Sequence, residues 1–310
     1  MPKISVIMPL YNAEQFVSKA IESILQQSYK DFELLIVDDC STDNSLDIVS
    51  RIRDSRIKIV RNEKNEGISF SRNRALALAS GEYIALMDDD DVTVPFRFDT
   101  QVNYLDVHSE IDVVGGRHCI IDENDQIIRT GREPLNNPLY IRADMMLYDS
   151  VANGSAMFRT DFIKRNLINY HDDWLGMEDY HFWIQCSVRG RITNLSDILL
   201  YWRNTGNNET VRRQKLQSKQ RAEKFADLHK YAFELNGYLL QNEEYEVINK
   251  MFPEAISSSI VSRSEIKRLY DVFLKIIHQS KELRVENAKE VEIMCRKRFS
   301  KRLEFSELWF

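Results

Sequence analysis

Phe32-Glu-Leu-Leu-Ile-Val37, followed at once by Asp38-Asp39, is the stretch on which the fold turns. An almost unbroken apolar run of this length suits a strand buried on both faces of a parallel sheet. Upstream, Ile4-Ser-Val-Ile-Met8 is a second run of the same kind. Between them Phe16, Ala20, Ile24 and Gln27 follow helical spacing, with Ile21 and Leu25 widening the stripe and Asn12 or Ala13 beginning the turn into it. Downstream the alternation continues through a helix at about 44–53, a strand at Ile57–Arg61, a helix at about 68–79 and a strand at Tyr83–Met87. Repeated β-α-β order predicts an α/β fold: a doubly wound, Rossmann-like and mostly parallel sheet with helices on both faces. Ligands on such sheets bind beyond the carboxyl ends of the strands.

Past Asp91 the pattern loosens into a helix near 95–108, mixed strands near 111–130 and a helix near 138–147. Strands at Ser155–Arg159 and Ile192–Arg203, with a helix over about 178–189 between them, complete the sheet. Beyond about 210 Gly and Pro nearly vanish and helical spacing dominates, as in Leu269, Val272, Phe273, Ile276 and Ile277. The expected organisation is a domain over 1–210 and a helical region over 211–310 that either packs on the first domain or forms a homodimer.

With 43% hydrophobic and 29% charged residues the composition is that of a globular protein, not a disordered one. The net charge of −6 argues against a nucleic-acid partner, since phosphate affinity needs clustered Lys and Arg. That charge is unevenly spread: 22 basic residues face 33 acidic ones through position 210, and 20 face 15 beyond it, so the last third is locally basic. Four cysteines, Cys40, Cys119, Cys186 and Cys295, lie far apart with no C-x-x-C pair, which suggests neither a zinc site nor a disulfide framework. No secretion signal opens the chain and no run of about 18 apolar residues occurs, so a cytoplasmic location is expected.

Polar residues collect where the sheet's carboxyl rim is expected. Pro9-Leu-Tyr11-Asn12 follows the first strand, Asp38-Asp39 the second, and Asp88-Asp89-Asp90-Asp91 the fourth. Four consecutive carboxylates repel one another unless a cation neutralises them; a solvated turn is the plainer reading. An EF-hand is excluded, because the loop lacks its Gly and terminal Glu, whereas Mg²⁺ or Mn²⁺ takes few protein carboxylates and completes its shell with phosphates and water. Asp38 and Asp39 suit donors of a nucleotide's base or ribose, while Thr42 or Asp43 serves to cap the next helix. Asn65-Glu-Gly67 and Arg72-Asn73 form a third polar cluster, in which Arg72 is either a diphosphate partner or a surface residue. Gly176-Met-Glu178-Asp179 leads into a helix on which Asp179 shares a face with Phe182, Trp183 and Cys186, so Asp179 rather than Glu178 is expected to head the buried stripe. His181 reads as structural. Neither a G-x-x-x-x-G-K-[ST] nor a G-x-G-x-x-G motif is present, which weakens ATPase and dinucleotide readings.

Taken together these segments resemble the family 2 inverting glycosyltransferases of the GT-A fold, chiefly bacterial enzymes of surface glycans such as capsule and lipopolysaccharide. The resemblance covers about the first 210 residues. It rests on Pro9-Leu-Tyr11-Asn12, Asp38-Asp39-Cys-Ser-Thr-Asp43, Asn65-Glu-Gly67, Ser71-Arg72-Asn73, Gly81-Glu-Tyr-Ile, Met87-Asp88-Asp89-Asp90-Asp91 and Glu178-Asp179, in that order. It implies that Pro9–Tyr11 and Asp39 cradle the nucleotide base, usually uracil. Asp88–Asp90 would be the D-x-D motif, with Asp90 the ligand of Mn²⁺ or Mg²⁺ and Asp88 or Asp89 reaching ribose or sugar. By the same resemblance Asp179 would be the general base, and Asn153-Gly-Ser-Ala156 the loop beside the transferred sugar. The chain departs from the family at Tyr201-Trp-Arg203-Asn-Thr205, where relatives often carry Tyr-Arg-x-His; the His is absent.

The implied reaction is a single displacement: an acceptor hydroxyl attacks the anomeric carbon of a nucleotide sugar, UDP in the first instance, as Asp179 takes its proton. The transferred group would be a hexose or N-acetylhexosamine, and the acceptor a glycan or lipid-linked oligosaccharide. Two other classes fit in part: a nucleotidyltransferase, which lacks its Gly-rich phosphate loop here, and a nucleotide-sugar-binding scaffold without turnover. Arg296-Lys-Arg-Phe-Ser-Lys-Arg-Leu-Glu-Phe-Ser-Glu-Leu-Trp-Phe310 mixes basic and large apolar residues, as a peripheral membrane anchor does.

Overall fold

A computed structural model describes residues 1–174, 176–205, 218–252 and 262–303. The chain divides into two compact units, Met1–Asn136 with Val151–Val211, and Asn137–Ser150 with Arg212–Phe310. The expected boundary at 210 therefore omits an excursion: residues 137–150 belong with the later helices.

In the first unit, β1 (Ile4–Leu10) and β2 (Phe32–Asp38) are buried at every position, as their apolar runs require. They pair in parallel, Ile4 opposite Phe32 and Leu10 opposite Asp38, so both strands release their chains at one rim. Between them α1 (Val17–Leu25) buries Val17, Ala20, Ile21 and Ile24. The expected alternation holds through α2 (Ser45–Arg51), β3 (Ile57–Arg61), α3 (Ile68–Leu78) and β4 (Tyr83–Leu86). One carboxylate sits inside this sheet. Glu33 accepts from Ser5 Oγ at 2.6 Å, Ser80 Oγ at 2.7 Å and Lys58 Nζ at 2.6 Å. Burial would push its pKa up, but Lys58, Ser5 and Ser80 outweigh it and hold the group down at about 2.

Beyond β4 come β5 (Val92–Thr93), α4 (Arg97–Val107), β6 (Val113–Ile121), β7 (Ile127–Thr130), β8 (Met157–Arg159), α6 (Thr160–Arg165), α7 (Glu178–Arg189) and β9 (Ile192–Arg203), with α5 (Pro138–Asp144) in the other unit. The sheet order is β3-β2-β1-β4-β8-β6-β9-β5, with β7 paired to β6 and helices on both faces. The half containing β1 to β4 is wholly parallel; β8 then enters antiparallel to both β4 and β6, and β6 and β9 run parallel. The sheet is thus more evenly mixed than its opening β-α-β alternation predicts.

The second unit gathers α5 with α8 (Ser218–Leu235), α9 (Asn242–Met251), α10 (Arg263–Glu282) and α11 (Ala288–Leu303). The periodic residues Leu269, Val272, Phe273, Ile276 and Ile277 are all buried on α10, whose start is closed by a Ser262–Glu265 capping box. Asp144, just past the middle of the excursion, pairs with Arg298, and Leu147 O lies 3.1 Å from His229 Nε2. No described helix is long and apolar enough to cross a membrane. The end of the segment expected to meet a membrane surface, 304–310, lies outside the described residues.

Candidate active site

The loops leaving β1, β2 and β4 meet at the carboxyl rim and are fastened by side chains. Pro9 is the last but one residue of β1, buried opposite Val37. Asn12 takes a φ of +51°, a conformation that Asn tolerates better than most residues. Its N–H donates to Ser41 Oγ at 3.2 Å and its Oδ1 accepts from Thr42 N at 2.8 Å, joining the first loop to the second. Tyr11 N donates to Asp89 Oδ2 at 3.0 Å, joining the first loop to the aspartate run and leaving the ring 47% exposed. Neither Thr42 nor Asp43 is the N-cap of α2: that position is Asn44, which makes no side-chain cap bond, and Asp43, one residue earlier, accepts from Ser45 N at 2.9 Å through Oδ1.

Asp39 is buried and fully engaged. Its Oδ1 accepts from Asn62 Nδ2 at 2.6 Å and Glu66 N at 2.9 Å, and its Oδ2 from Gly67 N at 2.8 Å. A carboxylate thereby holds the loop entering α3, whose last residue, Gly67, has a φ of +92°. Asn65 stands exposed on this loop.

The aspartate run is the electrostatic centre. Burial and then Asp90 raise the pKa of Asp89 well above the carboxylate range; burial, then Asp90 and Asp88, do the same to Asp91. Burial and Asp88 lift Asp90 to about 7. Asp91 is fully buried, with Oδ1 accepting from Arg203 N at 2.9 Å and Oδ2 lacking a hydrogen-bond partner among the described residues. Arg203, one residue before Asn204, where the Tyr-Arg-x-His pattern begun at Tyr201 would place its His, fixes this turn from behind. Its Nε donates to Asp90 O at 2.7 Å, Nη1 to Asp122 O at 2.8 Å and Nη2 to Asp125 Oδ1 at 2.7 Å, with the guanidinium 4.7 Å from the Phe16 ring. Asn153-Gly154-Ser155 closes the other side: a Cβ on Gly154 would lie 3.1 Å from Asp91 Oδ2 and 3.8 Å from Asp88 Oδ2. Both polar atoms of the Asn153 amide are buried without a hydrogen-bond partner among the described residues.

Asp179 reaches the run through Arg72. Nη2 of Arg72 donates to Asp88 Oδ1 at 2.9 Å and Nη1 to Asp179 Oδ1, while Glu178 Oε1 lies 3.9 Å from Nη1. Arg72 is 3% exposed and its guanidinium sits 5.2 Å from the Tyr170 ring. Tyr170 in turn stacks on Phe182 at 4.3 Å. Here the sequence reading needs correction: Glu178 is the buried acid, at 6% exposure, whereas the Asp179 side chain keeps 32%. α7 is buried nearly all round, so a one-sided stripe does not rank its first two residues. His181 is buried. Burial, then His171, hold its pKa down at about 3, and it stacks on Trp174.

The structure thus joins Tyr11 to Asp89 and Arg72 to Asp88 and Asp179, and leaves Pro9 and Asn65 outside this bonding. Sequence reasoning missed Tyr170 and the clamp made by Arg203. Arg72 carried a readable signal, since it falls with Ala75, Leu76 and Ala79 on the buried face of α3, where a lone guanidinium demands partners. Among the described residues, no three His, Cys, Asp or Glu side chains converge as a ligand set.

The family model described as Glycosyl transferase family 2 matches residues 5–167, more than half of the chain. This protein is a member of glycosyl transferase family 2. An uncharacterised glycosyltransferase of Haemophilus influenzae is 34% identical over 66% of this chain and 67% of its own length. The Escherichia coli UDP-Glc:alpha-D-GlcNAc-diphosphoundecaprenol beta-1,3-glucosyltransferase WfgD is 32% identical over 58% of this chain and 68% of its own. Among solved structures, Staphylococcus aureus TarS 1-349 in complex with UDP-GlcNAc superposes with a TM-score of 0.65 at 23% identity, over 95% of this chain and 92% of that one. The fold of this family 2 glycosyltransferase is accordingly GT-A-like, followed by a C-terminal helical region.

Proposed function

We propose that the enzyme transfers a hexose or N-acetylhexosamine, with inversion, from a UDP-sugar to a hydroxyl of a glycan or lipid-linked oligosaccharide. The observation that carries this reading is the span Asp88–Arg72–Asp179: a half-exposed carboxylate stands one guanidinium away from the acidic run at the sheet's carboxyl rim. The donor is read from the rim loops and from TarS, whose structure holds UDP-GlcNAc; the lipid-linked acceptor is read from the name of WfgD.

In this reading Tyr11, with Pro9 behind it, offers its exposed ring to the base, and the Asn62–Gly67 loop held by Asp39 lines the same side. Asp88 and Asp89 face ribose and sugar. Asp179 accepts the proton of the attacking hydroxyl as the new bond forms, because a carboxylate is too weak to ionise an alcohol beforehand.

The acidic run fits a hard divalent cation. The carboxyls of Asp89, Asp90 and Asp91 are driven toward protonation by burial and by neighbouring aspartates, and Asp91 Oδ2 has no hydrogen-bond partner among the described residues. Mn²⁺ or Mg²⁺ held by Asp90, its shell completed by donor phosphates and water, would offset charge growing on the departing nucleoside diphosphate.

The test is incubation with UDP-glucose, UDP-GlcNAc and other UDP-sugars, Mn²⁺ and an undecaprenyl-diphosphate-linked GlcNAc acceptor, read by UDP release and product mass. Asp179→Asn is expected to bind donor as the parent does and to lose transfer at least about 100-fold. Full activity in that variant removes Asp179 as the base. UTP formation that depends on pyrophosphate would instead favour a nucleotidyltransferase, and binding without release a scaffold.

A further inference from the structure

We propose that Arg72 is a positioning residue for the transfer step: its guanidinium sets the Asp179 carboxylate at a fixed place relative to Asp88, and so relative to the donor. This rests on the transferase reading above. It also gives Arg72 a task other than the diphosphate contact expected from sequence, because the residue is 3% exposed and its two terminal nitrogens are already directed at protein carboxylates.

Three consecutive residues in the middle of α3 build the arrangement. Ser71 Oγ accepts from Asn62 Nδ2 at 2.9 Å, tying the helix to the loop that Asp39 organises. Asn73 grips the segment before α7 by its backbone, accepting from Tyr170 N at 2.9 Å and donating to Tyr170 O at 2.8 Å. Arg72, between them, spans from Asp88 to Asp179 above the Tyr170 ring. Asp88 and Asp179 are 91 residues apart and belong to different elements, and one rigid fork connects them.

The planar guanidinium is what makes this a positional device. Two N–H groups on different nitrogens hold fixed directions, so each carboxylate is oriented as well as attracted. An ammonium is a point charge on a flexible stem; it can neutralise either acid but cannot space the two. Spacing matters because proton removal must coincide with attack at the anomeric carbon. A base displaced by about 1 Å from its productive place can cost about 100-fold in rate.

Arg72→Lys keeps the charge and is the informative variant. At saturating UDP-sugar and acceptor its kcat is expected to fall at least about 30-fold, with the donor dissociation constant, from calorimetry with Mn²⁺, changed less than about 3-fold. In an Asp179→Asn background the same substitution is expected to change the residual turnover less than about 3-fold, since the group it orients is gone. A kcat of Arg72→Lys within about 3-fold of the parent, or losses that multiply in the double variant, would overturn the inference. Should Arg72→Lys give no cooperative melt, Tyr170→Leu replaces the ring beside the guanidinium and enters the same cycle under the same two criteria. If the parent enzyme releases no UDP from any donor, the transferase reading fails and this inference falls with it; loss confined to Arg72→Lys kinetics leaves that reading standing.

Discussion

Replacing Arg203 by Met should destabilise the first unit by about 3–5 kcal/mol, the range for removing one partner of a buried charge network. The contacts add up to about 2.5–6.5 kcal/mol, which brackets that range. Asp90 O loses its guanidinium donor, at about 1–3 kcal/mol for an acceptor left without one, whereas Asp122 O keeps the Asp125 N–H at 3.2 Å and loses only one bond, about 0.5–1.5 kcal/mol. The pair with Asp125 contributes under about 1 kcal/mol, because that side chain is 35% exposed and also meets Lys19. The charge over Phe16 contributes about 1 kcal/mol, and Met retains most of the apolar contact. Urea unfolding followed by tryptophan fluorescence is the appropriate assay, since Trp174, Trp183 and Trp202, three of the four tryptophans, belong to this unit. With a slope of about 3 kcal/mol per molar urea, the midpoint should fall by at least about 1 M. A fall under about 0.3 M at unchanged slope would refute the claim that Arg203 clamps the aspartate turn.

Other outcomes can be stated more briefly. The folded-state pKa of Glu33 lies below its unfolded value, so its contribution is present above about 4.5 and is lost as pH falls toward about 2; Glu33→Gln should flatten acid unfolding across that window in a pH series of thermal melts. Asp91→Asn is expected to keep the thermal midpoint within a few degrees and turnover within about 5-fold, since its carboxyl is buried and pushed toward the neutral form, whereas Asp90→Asn should abolish the response to Mn²⁺. Gly67→Ala should cost about 1–2 kcal/mol from the backbone alone, because φ is +92° and an added Cβ meets no atom within 4 Å; a neutral urea midpoint would contradict this.

The parallel half of the sheet was legible because strands buried on both faces leave unbroken apolar runs, and α10 because its buried residues keep helical spacing. β8 could not be oriented from sequence. Its three residues carry no direction, and their antiparallel sense is set by β4 and β6, more than 30 residues away. The short helix Thr160–Arg165 escaped for want of length, and the β5 pair because two residues show no period. In the site, the acidic run and Glu178-Asp179 stood out as clustered charge. What linked them did not: an Arg on α3 and a Tyr before α7 become neighbours only after folding, and the order of burial of Glu178 and Asp179 depends on packing around the whole of α7.

The excursion over residues 137–150 bears on how such a protein can be divided or recombined. A gene truncated after codon 211 would still encode α5, with Ile141, Met145, Met146 and Leu147 buried in the native chain and their helical companions gone. Fourteen residues in the middle of the reading frame thus commit the catalytic unit to its tail. Exchange of tails therefore requires two coordinated changes, one beyond residue 211 and one over residues 137–150.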